Sequence, residues 1–300
     1  MDETTMGRLF VRITKFLLFQ NGAAGLILPV LMVLLILHLL PVSLRAAGPQ
    51  RIISLAPSLT QQLLDLGAEH VLIGVTRYRP ESASSKDVIG TLTKLNFEKI
   101  LSLQPDLILA SKDSNRITDV ERLSALGLRV SVFEGCESFA CMCAEFVRLG
   151  ELLGKRALAE DRVRLIRTEL TGLQSSVSGR PVQRVFWQMG TDPLITANDL
   201  TYTGELIQLA GGKNIFADLQ SKYPRVHIED VIRRNPDVII LVANMDSLQG
   251  PSLWQGFTTI SAVRDGRIHL LEADTVCQPT PAAFLRAYKA VLPILHPDLP

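Results

Sequence analysis

Glu98-Lys99-Ile100-Leu101-Ser102-Leu103-Gln104-Pro105-Asp106-Leu107-Ile108-Leu109 reads as an acid, a short helix, a Pro-Asp turn and a buried strand. Glu229-Asp230-Val231-Ile232-Arg233-Arg234-Asn235-Pro236-Asp237-Val238-Ile239-Ile240 repeats that order, with seven residues from acid to proline in both. An echo of this kind marks two units of similar build. Between them, residues 138–178 carry no strand pattern. Leu158, Val163, Ile166, Leu170 and Leu173 recur there at helical spacing, with charged residues on the other face, which predicts one long helix over 157–173. It ends before Gly179 and Pro181.

Outward from each copy the same alternation continues. Residues 51–57 read as a strand ended by Pro57, after which Ser58 is placed to cap a helix over 59–66 that Gly67 closes. Strands are expected at 71–75, 107–110 and 128–133, and helices at 98–103 and 120–126. After the helical segment, strands at 182–188, 238–242 and 267–271 alternate with helices at 203–209 and 284–292. Strands and helices joined by short turns predict an α/β fold with a mostly parallel sheet. The expected architecture is two α/β lobes joined by a single long connecting helix. Its bounds are 49–137 for the first lobe, 138–180 for the connector and 181–300 for the second lobe.

The 300 residues contain 31 basic and 30 acidic side chains, and this balance argues against nucleic acid as a partner. The mean hydropathy of +0.23 is raised by one stretch. Residues 22–42, GAAGLILPVLMVLLILHLLPV, hold no full charge and are long enough to span a bilayer as a helix. Arg8, Arg12 and Lys15 precede them, which keeps the N-terminus cytoplasmic and exports the rest. Residues 1–48 are therefore expected to be a signal peptide, cleaved near Ala46-Ala47-Gly48, or an uncleaved anchor that gives membrane association. Residues 1–50 hold four basic and two acidic residues, so the exported remainder carries 27 against 28.

Catalytic signatures are missing: there is no G-x-S-x-G, H-E-x-x-H, P-loop or G-x-G-x-x-G. The five histidines, at 38, 70, 227, 269 and 296, include no pair at ligand spacing. Cys136, Cys141 and Cys143 crowd one segment and Cys277 lies apart. A disulfide among the first three, with Cys136–Cys141 as one pairing, is the expectation in an oxidising compartment. Cys141 and Cys143 fall on different helix faces and suit a shared metal poorly. Cys277 follows a strand and is placed to reach a cleft.

The residues Arg51 to Ser58, Leu66-Gly67-Ala68, Ile73-Gly74-Val75, Leu95 to Ile100, Pro105 to Ile108, Gly211 to Phe216, and Glu229 to Ile239 occur in a telling order. Over about 51–298, the chain resembles the substrate-binding proteins of ABC importers for metal chelates: cobalamin, haem and iron–siderophores. The resemblance implies two lobes with a ligand cleft between them and little hinge motion. It further implies a periplasmic location, or one on the outer face of the inner membrane, and partnership with a permease and its ATPase. A monomer with no cofactor and no catalytic activity is expected, the small-molecule chelate being cargo. In the family each lobe presents one glutamate to permease arginines, and Glu98 and Glu229 stand at those positions.

The chain looks most like the cobalamin-binding branch, in which aromatic rings stack on the corrin. The resemblance puts Tyr78 and Tyr223 at two such positions and Asp274 where an acid meets the ligand's polar rim. Trp187, Met189 and Tyr202 lie near a strand end of the second lobe and are further candidates. Leu92 and Ser111 stand where that branch often has tryptophan. Arg77 and Arg79, flanking Tyr78, suit an anionic chelate instead, so an iron–siderophore or haem receptor is the alternative. An anchored enzyme or sensor on the same fold would need a nucleophile beside a base, and no pattern supplies that pair.

Overall fold

Asp106 and Asp237, the acids of the two Pro-Asp turns, do the same job in two places. Asp106 Oδ2 accepts the backbone N–H groups of Gln50 (2.7 Å) and Arg51 (3.1 Å). Asp237 Oδ2 accepts that of Arg184 (2.8 Å). Arg51 donates to the carbonyls of Leu103 and Gln104, and Arg184 donates to the carbonyl of Arg234, so each arginine satisfies acceptors at the end of a short helix. Gln104 (φ 46°) and Asn235 (φ 42°), the residues before the two prolines, are the non-glycine residues with positive φ among those described. The left-handed turn lets the chain leave the helix and enter a central strand at once. The sequence echo is thus a repeated structural device.

These features belong to a computed structural model that describes residues 48–243 and 250–299. The first sheet holds β1 (Ile52–Ser54), β2 (Leu72–Val75), β3 (Asp87–Val88), β4 (Leu107–Ser111) and β5 (Val130–Phe133) in the order β3-β2-β1-β4-β5, all parallel. Helices α1 (Pro57–Asp65), α2 (Phe97–Ser102) and α3 (Ile117–Ala125) are its crossovers. Two more helices follow, α4 (Phe139–Leu152) and α5 (Arg156–Ser175). The second sheet contains β6 (Gln183–Thr191), β7 (Leu194–Thr196), β8 (Gly212–Asn214), β9 (Val238–Ala243) and β10 (Ile268–Glu272), with α6 (Tyr202–Leu209), α7 (Ile228–Arg234), α8 (Gly250–Trp254), α9 (Ser261–Arg264) and α10 (Ala273–Val276). Helix α11 (Pro281–Leu295) closes the chain. Here β8, β9 and β10 run parallel in the order β8-β6-β9-β10, matching β2-β1-β4-β5, while β7 joins β6 antiparallel.

The central strands are buried on both faces, as parallel strands covered by helices must be. One apolar cluster runs continuously through both sheets, from Ile52 and Leu107 to Val185 and Val238, beneath α4, α5 and α11. Separate clusters fill the opposite face of each sheet, around Ile53 and Ile108 in one and Phe186 and Trp254 in the other.

Two local expectations are corrected. The helix after β1 begins at Pro57, with Ala56 as its N-cap, so Ser58 sits inside the first turn. Proline is favoured at the first helical position, where its fixed φ fits and no N–H is needed. Residues 138–178 hold the expected helix over 157–173, as α5, but a second helix, α4, precedes it across a break at Gly154 (φ 69°), so the connector is not a single helix. The pair approaches closely because Gly150 faces Ala159: a Cβ on Gly150 would lie 2.5 Å from the Ala159 Cβ. The apolar stretch 22–42 lies outside the described residues, and no helix among the described residues is long and apolar enough to cross a membrane.

Asp65, in the last turn of α1, is partly buried, and its Oδ2 has no donor among the described residues. Burial holds its carboxyl above the usual range, against the pull of Gln61, Arg286 and Arg162. A carboxyl raised on folding favours the native state only below its unfolded pKa, and that contribution is lost as pH rises through the folded value. Asp65→Asn is therefore expected to stabilise the protein at neutral pH, by about 1 kcal/mol, or a few degrees in Tm. The gain should shrink towards pH 4, as thermal melts across pH would measure.

Candidate functional site

The carboxyl ends of the strands carry the loops that can hold a ligand. At the end of β4 comes Ser111, and after it Asp113; after β5, Glu134 to Glu137; in the second lobe, Met189, Tyr202, Tyr223 and the segment 274–278. The two sets meet at a seam. Lys222 of the second lobe pairs with Glu137 of the first at 2.6 Å. Glu205 Oε2 accepts the backbone N–H of Phe139, also at 2.6 Å. Pro279 joins Ser58, Gln62, Ser111, Asp113 and Cys136 around a small void.

The seam holds aromatic rings among acids. Tyr223 is 43 % exposed. Burial, then the charges of Glu137 and Asp113 and the neighbouring Cys277, pushes its hydroxyl up to about 12. Tyr202 lies deeper, donates to the carbonyl of Val276 at 2.9 Å, and is driven upward chiefly by burial. Cys277, unpaired, is raised by desolvation and then by Asp274. Both tyrosines and this thiol are neutral at physiological pH, so they offer apolar faces and hydrogen-bonding tips rather than charge.

Cys136 and Cys141 are joined by a disulfide, which ties the loop before α4. Cys143, outside the disulfide, is buried in the continuous core. Among the described residues no cluster of His, Cys, Asp or Glu is arranged to hold a metal ion.

The expected ligand residues do not all gather here. Tyr202, Tyr223 and Asp274 do. Met189 is half-buried at the end of β6, packed on the continuous core. Trp187 is 1 % exposed: its ring points into that core with Val185, and it supports the wall from behind. Tyr78 stands out at 64 % exposure on the loop after β2. Arg79 on that loop donates to the carbonyls of Arg77 and Ser84, which uses it as a loop brace. Arg77 lines an open hollow of about 540 Å³ with Lys94, Asn96, Glu98 and Arg122. Arg122 lies over the Phe97 ring at 4.3 Å.

Glu98 and Glu229 are both exposed, each the second residue of its short helix, α2 or α7. Asn96 caps α2 through the Lys99 N–H (3.0 Å). The Asp106 and Asp237 ties fix the far ends of these helices, so the two acids are presented from equivalent frames.

The residues that sequence reasoning missed are Glu137, Asp113, Lys222 and Gln278. Their loops have no periodicity, and only the meeting of the lobes selects them.

The periplasmic binding protein family matches this chain over residues 52–275. A vitamin B12-binding protein of Yersinia pseudotuberculosis is 30% identical over 272 residues, covering 85% of this chain and 96% of that protein. The crystal structure of the periplasmic vitamin B12-binding protein BtuF of Vibrio cholerae superposes with a TM-score of 0.73 at 28% identity, covering 83% of this chain and 97% of that one. The periplasmic heme-binding protein RhuT of Roseiflexus shares the fold, with a TM-score of 0.72 at 23% identity over 83% of this chain and all of that one (100%).

Proposed function

The chain belongs to the periplasmic binding protein family, and on that footing we propose that it is the extracytoplasmic receptor of an ABC importer for a corrinoid of the cobalamin class. It binds its cargo in the seam between the lobes and delivers it to a membrane permease and ATPase, without catalysis. In this reading residues 1–48 are the export signal or anchor, and residues 138–180 join the lobes at 49–137 and 181–300.

One observation carries the choice of ligand. The seam pairs tyrosine faces with the acids Asp113, Glu137 and Asp274, and the lysines of its loops, Lys112 and Lys222, are already paired with Glu134 and Glu137. A large flat ring with a neutral, donor-bearing rim suits that lining, because rings stack on aromatics and amide N–H groups satisfy carboxylates. The vitamin B12-binding relatives point the same way. An anionic chelate, as in the haem or siderophore reading, would need free cations. Arg79 is engaged as a brace, and Arg77 lines the hollow beside Glu98.

Glu98 and Glu229 are the docking acids in this reading. Exposed, and held at matching places on two short helices, they suit charge-assisted pairing with basic groups of the permease.

Thermal shift tests the ligand class. Cyanocobalamin at about one hundred times its Kd should stabilise the protein by about 2.7 kcal/mol. Haemin at the same concentration should give a clearly smaller shift. Equal shifts, or a larger one with haemin, would remove the corrinoid reading.

A further inference from the structure

Glu137 carries an acceptor that none of the described residues uses. Its Oε1 takes the Lys222 ammonium at 2.6 Å. Its Oε2 is buried and has no donor among the described residues. A buried carboxylate oxygen without a partner is costly and unusual. Tyr202, which feels the Glu137 charge, already spends its hydroxyl on the Val276 carbonyl.

The position of Glu137 is fixed from several sides. Cys136 before it is tied to Cys141 by the disulfide. Ser138 after it caps α4, its Oγ accepting the Cys141 N–H at 3.2 Å. Phe139 is held by Glu205 across the seam. Lys222 then holds the carboxylate through Oε1, so Oε2 stays turned inward with no donor among the described residues. Gln278 Oε1 and Gln62 Oε1 are also buried without donors among the described residues. An amide can rotate to offer its N–H₂ instead, so those two suit either kind of group. A carboxylate paired with an ammonium can only accept.

We propose that Glu137 is a specificity-determining residue whose Oε2 accepts an amide N–H from the rim of the bound corrinoid, so that the seam selects amide-bearing rings over carboxylate-bearing ones. This rests on the corrinoid reading of the seam. Carboxylates on the ligand rim would meet an acceptor with no proton to offer, beside Asp113 and Asp274. A hydrogen bond from an amide would satisfy the orphaned oxygen and gain strength from its charge.

The test titrates the full chain with two cobalt corrins lacking the nucleotide arm: dicyanocobinamide, with amide side chains, and dicyanocobyrinic acid, with carboxylates. The wild type should prefer cobinamide by roughly tenfold or more. Glu137→Gln, of the same shape, should weaken cobinamide roughly tenfold and leave cobyrinic acid unchanged or tighter. Lys222→Met, which frees the carboxylate to turn, should lower the preference, though less than Glu137→Gln does. Variants are compared only where their melting matches the wild type, with Glu137→Ala as the second substitution. A preference within twofold of wild type in both Glu137 variants, or equal loss for both ligands, would overturn the role of Glu137. A wild type that binds neither corrin would instead overturn the corrinoid reading, before any variant is made.

Discussion

Reversing Glu98 and Glu229 together, to arginine, should cut import at least a hundredfold while the Kd for the cargo stays within twofold. Both side chains are exposed and neither is among the residues placed at the seam, so the core and the seam lining keep their side chains. Surface substitutions of this kind move stability by only about 0.5 kcal/mol. At a docking interface the same reversal replaces attraction with like-charge contact on both lobes, and each lost charged pair costs about 2–5 kcal/mol. Two such pairs together exceed the roughly 2.8 kcal/mol that makes a hundredfold change. Uptake in membrane vesicles with the cognate permease, beside ligand titration of the same variant, separates the two effects. Normal uptake by the double variant would remove the docking role.

Trp254→Ala should bring the largest loss of stability in the second lobe, about 3–5 kcal/mol. The indole is fully buried and donates from Nε1 to Gln188 Oε1 at 2.8 Å. It meets Phe186 edge-on at 5.6 Å between centroids and Phe257 at 6.0 Å. Truncation opens a cavity behind β6 and also strands the Gln188 acceptor, so the cavity and hydrogen-bond penalties add. Chemical denaturation reads the loss directly. Trp254→Phe, which keeps much of the ring packing, should recover part of it. A loss below about 1 kcal/mol for the alanine variant would mean the cluster around Phe186 is far less tightly packed than described.

The echo around Pro105 and Pro236 was legible because it combined polarity, turn chemistry and a buried run in one order. What it meant physically was not: the Asp106 and Asp237 ties and the left-handed Gln104 and Asn235 depend on strands more than fifty residues away. The two-helix segment was half legible. Helix α5 is polar overall with one apolar stripe and reads as amphipathic, whereas α4 is apolar overall, rich in Cys, Met, Phe and Leu. The short strands β3, β7 and β8 are two or three residues long and carry no period.

The seam was the least legible part. In β6 both faces are covered, so Val185 and Trp187 face one core and Phe186 and Gln188 the other. No polar alternation warns that Trp187 points away from solvent. Tyr202 was visible as an aromatic near a strand end, and Tyr223 only through the family resemblance. Glu137 became visible only as a partner of Lys222, across 85 residues of chain.

Isothermal titration of the purified protein with cyanocobalamin is the most direct measurement. Saturable binding at one ligand per chain, in the micromolar range or tighter, is the predicted result, and Tyr223→Ala should weaken it. No detectable heat at several temperatures, together with saturable binding of haemin or a ferric siderophore, would contradict the corrinoid assignment.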